Sequence, residues 1–369
     1  MRSTSNSLAI ATGILGILKS LDFQLHRRKL LSAGGTRQII PGWITSSQRR
    51  ALLQATVEVA PNLTVAQDGS GDVKTIKEAI EMIPKKSLDP FVIYVKKGTY
   101  EENIVLDKKM RNVHVYGDGM YDTIVSGSLN FLDGTPTYST ATFAVMGRGF
   151  MAKDMGFKNT AGPEKHQAVA FRSGADLSVF YRCSFEAYQD TLYAHSNRQF
   201  YRECDITGTV DFIFGDAAVV FQKCNITPRQ PLASQKNIIT AQGKKDPNEN
   251  TGIVIQGCTV SAPNNVTAQT YLGRPWRPYS TTIYMQSDIG SVVDSAGWLS
   301  WVPGTDPPET INYAEFQNTG PGSNTAGRVK WSGYNPTVSA EEAAQYSVHR
   351  FLEGAEWIAQ KGVAYDSTL

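Results

Sequence analysis

Four short segments of the chain repeat one pattern: Val179-Phe-Tyr-Arg-Cys183-Ser-Phe185, Phe200-Tyr-Arg-Glu-Cys204-Asp-Ile206, Val220-Phe-Gln-Lys-Cys224-Asn-Ile226 and Val254-Ile-Gln-Gly-Cys258-Thr-Val260. The cysteines lie 21, 20 and 34 residues apart. A period near twenty is that of stacked coils, and the longer third interval reads as one coil with an inserted loop. A leucine-rich repeat has a similar period, but Leu177 and Leu192 are the only leucines between Leu132 and Leu232. The pattern therefore predicts an all-β fold, a right-handed parallel β-helix. A single coil cannot bury its own apolar face, so stacking supplies the core and leaves an outer wall free for a site.

The repeat belongs to a long β-rich region. From Val65 onward, short β-branched and aromatic runs are broken by Gly, Asn and Asp, the texture of one β domain assigned to residues 56–369. Two segments depart from it and predict short capping helices at the two ends. Val73, Ile76, Ile80 and Ile83 fall on one face, with Thr75 and Glu78 spaced as a capping box and Pro84 as a stop. Ser339 and Glu342 repeat that spacing before Val348, Phe351 and Leu352. Residues 1–55 read as leader and linker, with an apolar run at Leu8–Leu18 and basic clusters at His26–Lys29 and Arg49-Arg50. Eleven residues are too few to span a bilayer, so no membrane insertion is expected. Lys and Arg total 36 against 34 Asp and Glu, which lacks the basic excess of nucleic-acid binding. Four widely spaced cysteines suit neither a disulfide scaffold nor a zinc site.

Asp190 follows Cys183 by seven residues, and Asp211 follows Cys204 by seven. The two carboxylates thus occupy equivalent places on successive coils, about 4.8 Å apart if in register. Two like charges so close force one pKa above the other, which separates an acid from a nucleophile. Gln189 precedes Asp190, and Gln167 lies 22 residues earlier, close to one coil. Their amides can converge on the same patch as oxyanion donors, the requirement of acyl transfer. Stacked aspartates are also ordinary turn formers, although the Asp211-Phe-Ile-Phe214 context is too apolar for a turn. No Gly-x-Ser-x-Gly elbow occurs, and the five histidines lack metal-ligand spacing. His166 and His195 sit near the proposed site as simple hydrogen-bonding residues or as participants.

Gly98-Thr-Tyr-Glu-Glu102, Gln167-Ala-Val-Ala170, Gln189-Asp-Thr-Leu-Tyr193, Asp211-Phe-Ile-Phe-Gly215 and Leu272-Gly-Arg-Pro-Trp276, with Gly297-Trp298 and Trp301, together resemble the signature motifs of plant pectin methylesterases. The resemblance runs from about Val65 to the C-terminus. It implies hydrolysis of the C6 methyl esters of homogalacturonan, with Asp211 as nucleophile and Asp190 as general acid and base. Gln167 and Gln189 would stabilise the oxyanion, and Arg274 would pair with Asp211. Trp276 and Trp298 would stack on sugar rings, unless they pack in the core. Thr137, Tyr193 and Phe214 would line the substrate cleft, unless Phe214 packs behind Asp211. The resemblance further implies a monomeric, secreted cell-wall enzyme without metal or organic cofactor, pectin as its substrate and a four-helix inhibitor protein as a partner. Nucleic acid and membrane are not expected partners.

The same resemblance implies a disulfide between Cys224 and Cys258, and leaves Cys183 and Cys204 free because Gly156 stands where a partner would be expected. Asn62-Leu-Thr64 and Asn265-Val-Thr267 are glycosylation sequons. Ser5–Ile10 resembles the last helix of the family's inhibitor-like pro-region, so Leu8–Leu18 reads as a remnant of it or as a secretion signal. Arg28-Lys-Leu-Leu31 and Arg49-Arg-Ala-Leu-Leu53 resemble processing sites, or form a solvated basic linker. Two rivals stay open: a retaining glycosidase using the same carboxylates about 5 Å apart, and a non-catalytic pectin-binding solenoid.

Overall fold

The computed structural model describes residues 60–369. The leader, the apolar run at Leu8–Leu18 and both processing-like sites lie outside them. Within the described residues the chain winds as a right-handed parallel β-helix whose strands form three parallel sheets of eleven, eight and seven strands. One coil runs through Ser178–Tyr181 in sheet A, Ser184–Glu186 in sheet B and Leu192–Ala194 in sheet C. The next runs through Arg198–Arg202, Asp205–Gly208 and Ile213–Gly215. Each strand pairs with its equivalent one coil on, Phe180 with Tyr201 and Leu192 with Ile213.

The repeated cysteine marks the corner between sheets A and B. The residue before it is left-handed at every turn: Arg182 at φ 51°, Glu203 at 53°, Lys223 at 54° and Gly257 at 58°. A single left-handed residue swings the chain sharply, at a cost on the order of 1 kcal/mol for a non-glycine. Pairing up the stack offsets this, since the Arg182, Glu203 and Lys223 N–H groups donate to Arg202, Gln222 and Gln256 carbonyls one coil on. The cysteine then points inward and is buried.

Interior positions stack like on like. Phe143 lies on Phe171 at 5.4 Å, Phe157 on Phe185 at 5.5 Å, Phe180 on Tyr201 at 4.3 Å and Tyr201 on Phe221 at 4.6 Å. Burying each such side chain contributes about 1.5–3 kcal/mol, and the core runs the length of the helix.

The implied disulfide is not formed: all four cysteines are free and buried. They fill one inward column, stacked on successive coils. The Cys224 Sγ lies 3.6 Å from the Gln222 carbonyl and the Cys258 Sγ lies 3.5 Å from that of Gln256, each within its own corner. The Cys224 N–H meets the Cys258 sulfur at 3.4 Å.

Helix α1, Ile76–Glu81, carries the predicted Thr75–Glu78 capping box and buries Ile76, Ala79 and Ile80. Its first N–H groups, of Ile76 and Lys77, donate to the Glu102 carboxylate at 2.9 Å each. Helices α2, Ala340–Ala344, and α3, Val348–Phe351, are capped by Ser339 and Ser347. They lie along the outer face of sheet A, where Val348, Phe351 and Leu352 join Val179, Phe200, Val220 and Val254 in one apolar cluster.

Candidate active site

The site stands on sheet C and the turns that enter it. The Asp190 N–H donates to the Val210 carbonyl at 3.0 Å and the Leu192 N–H to Phe212 at 2.8 Å, so the register of Leu192 on Ile213 carries back through the turn. Asp190 and Asp211 are therefore neighbours one coil apart. Both are left-handed, at φ 64° and 50°, an energetically unfavourable backbone that concentrates at functional positions. Both are nearly buried, with 7% and 6% of their surface exposed.

Their surroundings divide them. Arg274 follows the strand Thr270–Gly273 and is pinned by its N–H to the Thr240 carbonyl at 2.9 Å. Its Nε and Nη2 grip the two Asp211 oxygens at 2.8 and 2.6 Å, a bidentate charge-assisted pair. Asp190 has no such partner among the described residues. Burial first, then the charge of Asp211, push its carboxyl well above the usual range, and Arg274 only partly opposes them. Burial also raises Asp211, but the two bonds from Arg274 pull it back. Of the pair, Asp190 keeps a proton and Asp211 ionises first.

Gln167 and Gln189 flank the carboxyls. The Ala168 N–H donates to the Gln189 carbonyl at 3.1 Å, which sets the two glutamines on adjacent coils. The Gln167 Oε1, an acceptor, is buried without a partner. Tyr193 and Phe214, registered on each other, stack at 4.2 Å and 18°, and Trp276 meets Phe214 edge-on at 6.3 Å. Gly243 makes room for that indole: a Cβ there would sit 2.7 Å from the ring. A cavity of about 670 Å³ is walled in part by Tyr193, His195 and Trp276, while neither carboxyl of the pair lines it. Thr137 begins a one-turn 3-10 helix, Thr137–Ser139, in the loop beyond, and its carbonyl accepts the Thr140 hydroxyl.

Trp298 is a correction. Its side chain is 1% exposed, packed against Tyr284 and Tyr313 at 5.7 and 4.5 Å, with Nε1 donating to Glu315 at 3.3 Å. It bridges Gly273 in strand-like fashion, which turns the indole inward, so it cannot stack on a sugar. Trp301, three residues on and 39% exposed, is the indole that reaches the site: its ring lies 4.4 Å from the Arg274 guanidinium and 6.5 Å from Trp276. His166 is exposed. His195 is half-buried, its Nδ1 3.0 Å from the Ser196 hydroxyl, and it lies edge-on to Tyr193.

Fold and site together define a right-handed parallel β-helix whose open wall carries a paired-carboxyl centre with one arginine. The pectinesterase family model matches residues 62–355, and the chain belongs to the pectinesterase family. It is 58% identical over 366 residues to pectinesterase 3 of Phaseolus vulgaris, covering 99% of this chain and 62% of that protein. To pectinesterase 1 of Arabidopsis thaliana it is 59% identical over 360 residues, covering 98% and 61%. The chain thus spans about three fifths of the length of these relatives. Among solved structures it is similar to the pectin methylesterase from carrot, at 48% identity and a TM-score of 0.82, covering 84% of this chain and 99% of that one.

Proposed function

We propose that the chain hydrolyses the C6 methyl esters of homogalacturonan in the plant cell wall, releasing methanol and leaving free carboxylates. The ionised Asp211 attacks the ester carbonyl carbon, and the electron pair moves onto the carbonyl oxygen, where the Gln167 and Gln189 amides donate to it. As the tetrahedral intermediate collapses, Asp190 gives its proton to the departing methoxyl oxygen and methanol leaves. The substrate acyl group is then joined to Asp211 as an anhydride. Asp190, now a carboxylate, takes a proton from water, which attacks the acyl carbon and frees Asp211. Trp276 and Trp301 flank the sugar chain, and a proteinaceous inhibitor seated over this cleft is the proposed partner.

The observation that supports this reading most is the asymmetry of the pair: Asp211 gripped by Arg274, Asp190 unpaired and raised. The test is an assay of methyl-esterified pectin for both methanol and new chain ends. Methanol at constant chain length supports the esterase. New chain ends without methanol overturn it in favour of a glycosidase, and sugar binding with neither product favours a binding solenoid.

A further inference from the structure

Arg172, registered beside Tyr193, is a charged residue that the proposed chemistry leaves unused. It lies in the strand Phe171–Ser173, registered against Tyr193 one coil on and Ala144 one coil back. It therefore faces the same wall as Tyr193 and Phe214. Only 3% of it is exposed, yet its Nε and Nη1 have no hydrogen-bond partner. No carboxylate offsets its charge: the groups acting on it are Tyr138 and Tyr193. A buried guanidinium with orphaned donors is expensive in a finished core, whereas a planar fork of free N–H groups matches a carboxylate.

Tyr138 and Tyr193 are the rings beside it. Tyr138 lies with its centroid 3.5 Å from the guanidinium carbon, is itself 42% exposed, and sits on the one-turn helix Thr137–Ser139. Its hydroxyl lies 3.5 Å from the Met146 sulfur and its ring meets His195 edge-on at 5.4 Å; rotation of this side chain would open one side of the guanidinium. Arg172 stands three residues along the strand and one coil away from Asp190, on the order of 10 Å. That is longer than one sugar ring, so a group reaching Arg172 belongs to a neighbouring unit of the polymer.

Resting on the esterase reading, we propose that Arg172 is a specificity residue that binds the free carboxylate of an already de-esterified uronate, with Tyr138 as its removable cover.

Calorimetric titration with two tetragalacturonates, one fully de-esterified and one fully methyl-esterified, tests this. Arg172→Gln is expected to weaken the acidic oligomer about tenfold or more, the scale of a lost charged hydrogen bond, and to change the neutral one less than twofold. Tyr138→Ala is expected to tighten the acidic oligomer. Equal effects of Arg172→Gln on both ligands, no effect on either, or weaker acid binding by Tyr138→Ala overturns the proposal. If Arg172→Gln does not fold, the direction of the Tyr138→Ala change decides. Methanol release is measured in parallel on the wild-type protein: its absence sinks the esterase reading, while its presence with equal binding effects sinks only this one.

Discussion

Replacing Arg274 by Gln removes two charged hydrogen bonds from Asp211, at 2.8 and 2.6 Å, between side chains only 21% and 9% exposed. At about 1.5–3 kcal/mol each, the loss is about 3–6 kcal/mol. That loss should raise the Asp211 carboxyl. Burial already raises both carboxyls, Asp190 the more, so this shift brings Asp211 level with or above Asp190. In the singly protonated pair the proton then rests on the nucleophile and the acid is the ionised partner. The kcat/KM for methanol release should fall by about 10²–10⁴, and its acid limb should move to higher pH because Asp190 now ionises first. Arg274→Lys, which keeps the charge but not the fork, should lie between. The assay is the pH–rate profile of methanol release on a defined methyl-esterified oligomer. Lost activity with an unmoved acid limb would refute the reasoning and assign Arg274 to the substrate alone.

Asp190→Asn should stabilise the fold at neutral pH. The folded Asp190 holds its proton above the unfolded value of 3.8, so stability falls as pH rises from there through the raised pKa. Melting temperatures should coincide near pH 3 and favour the variant at pH 7, the amide also tolerating the left-handed backbone. Gln167→Ala should lower kcat by about 10²–10³ with little change in KM, as for a lost oxyanion donor, which steady-state kinetics will read. The two tryptophans should separate by measurement. Trp298→Ala should cost about 3–5 kcal/mol in denaturant unfolding, whereas Trp301→Ala should leave the midpoint nearly unchanged and raise KM for the polymer.

The fold was legible because each coil repeats its own chemistry: the cysteine column is the inward residue after a left-handed corner, and its spacing counts coils. Asp190 and Asp211 were legible for the same reason, being equal offsets from that column. The corner's cause was not, since Arg, Glu and Lys before the cysteines give no hint of positive φ, and only Gly257 carries the usual signature. Trp298 and Trp301 share one short motif, and a strand-like bridge to Gly273, formed by residues far apart in sequence, decides which indole turns inward. The Cys224–Cys258 bond was expected from resemblance, and the structure instead leaves both thiols free in the stack. Arg172 carried no motif at all. Its isolation appears only when three coils are laid together and no carboxylate is found beside it.

Carboxyl-selective carbon NMR, following Asp190 through a pH titration in the wild-type protein and in Asp211→Asn, asks most directly whether two neighbouring coils split one pair into acid and nucleophile. Asp190 should titrate well above 3.8 and drop when the charge of Asp211 is removed. A value at or below 3.8, or one indifferent to Asp211, would contradict the account.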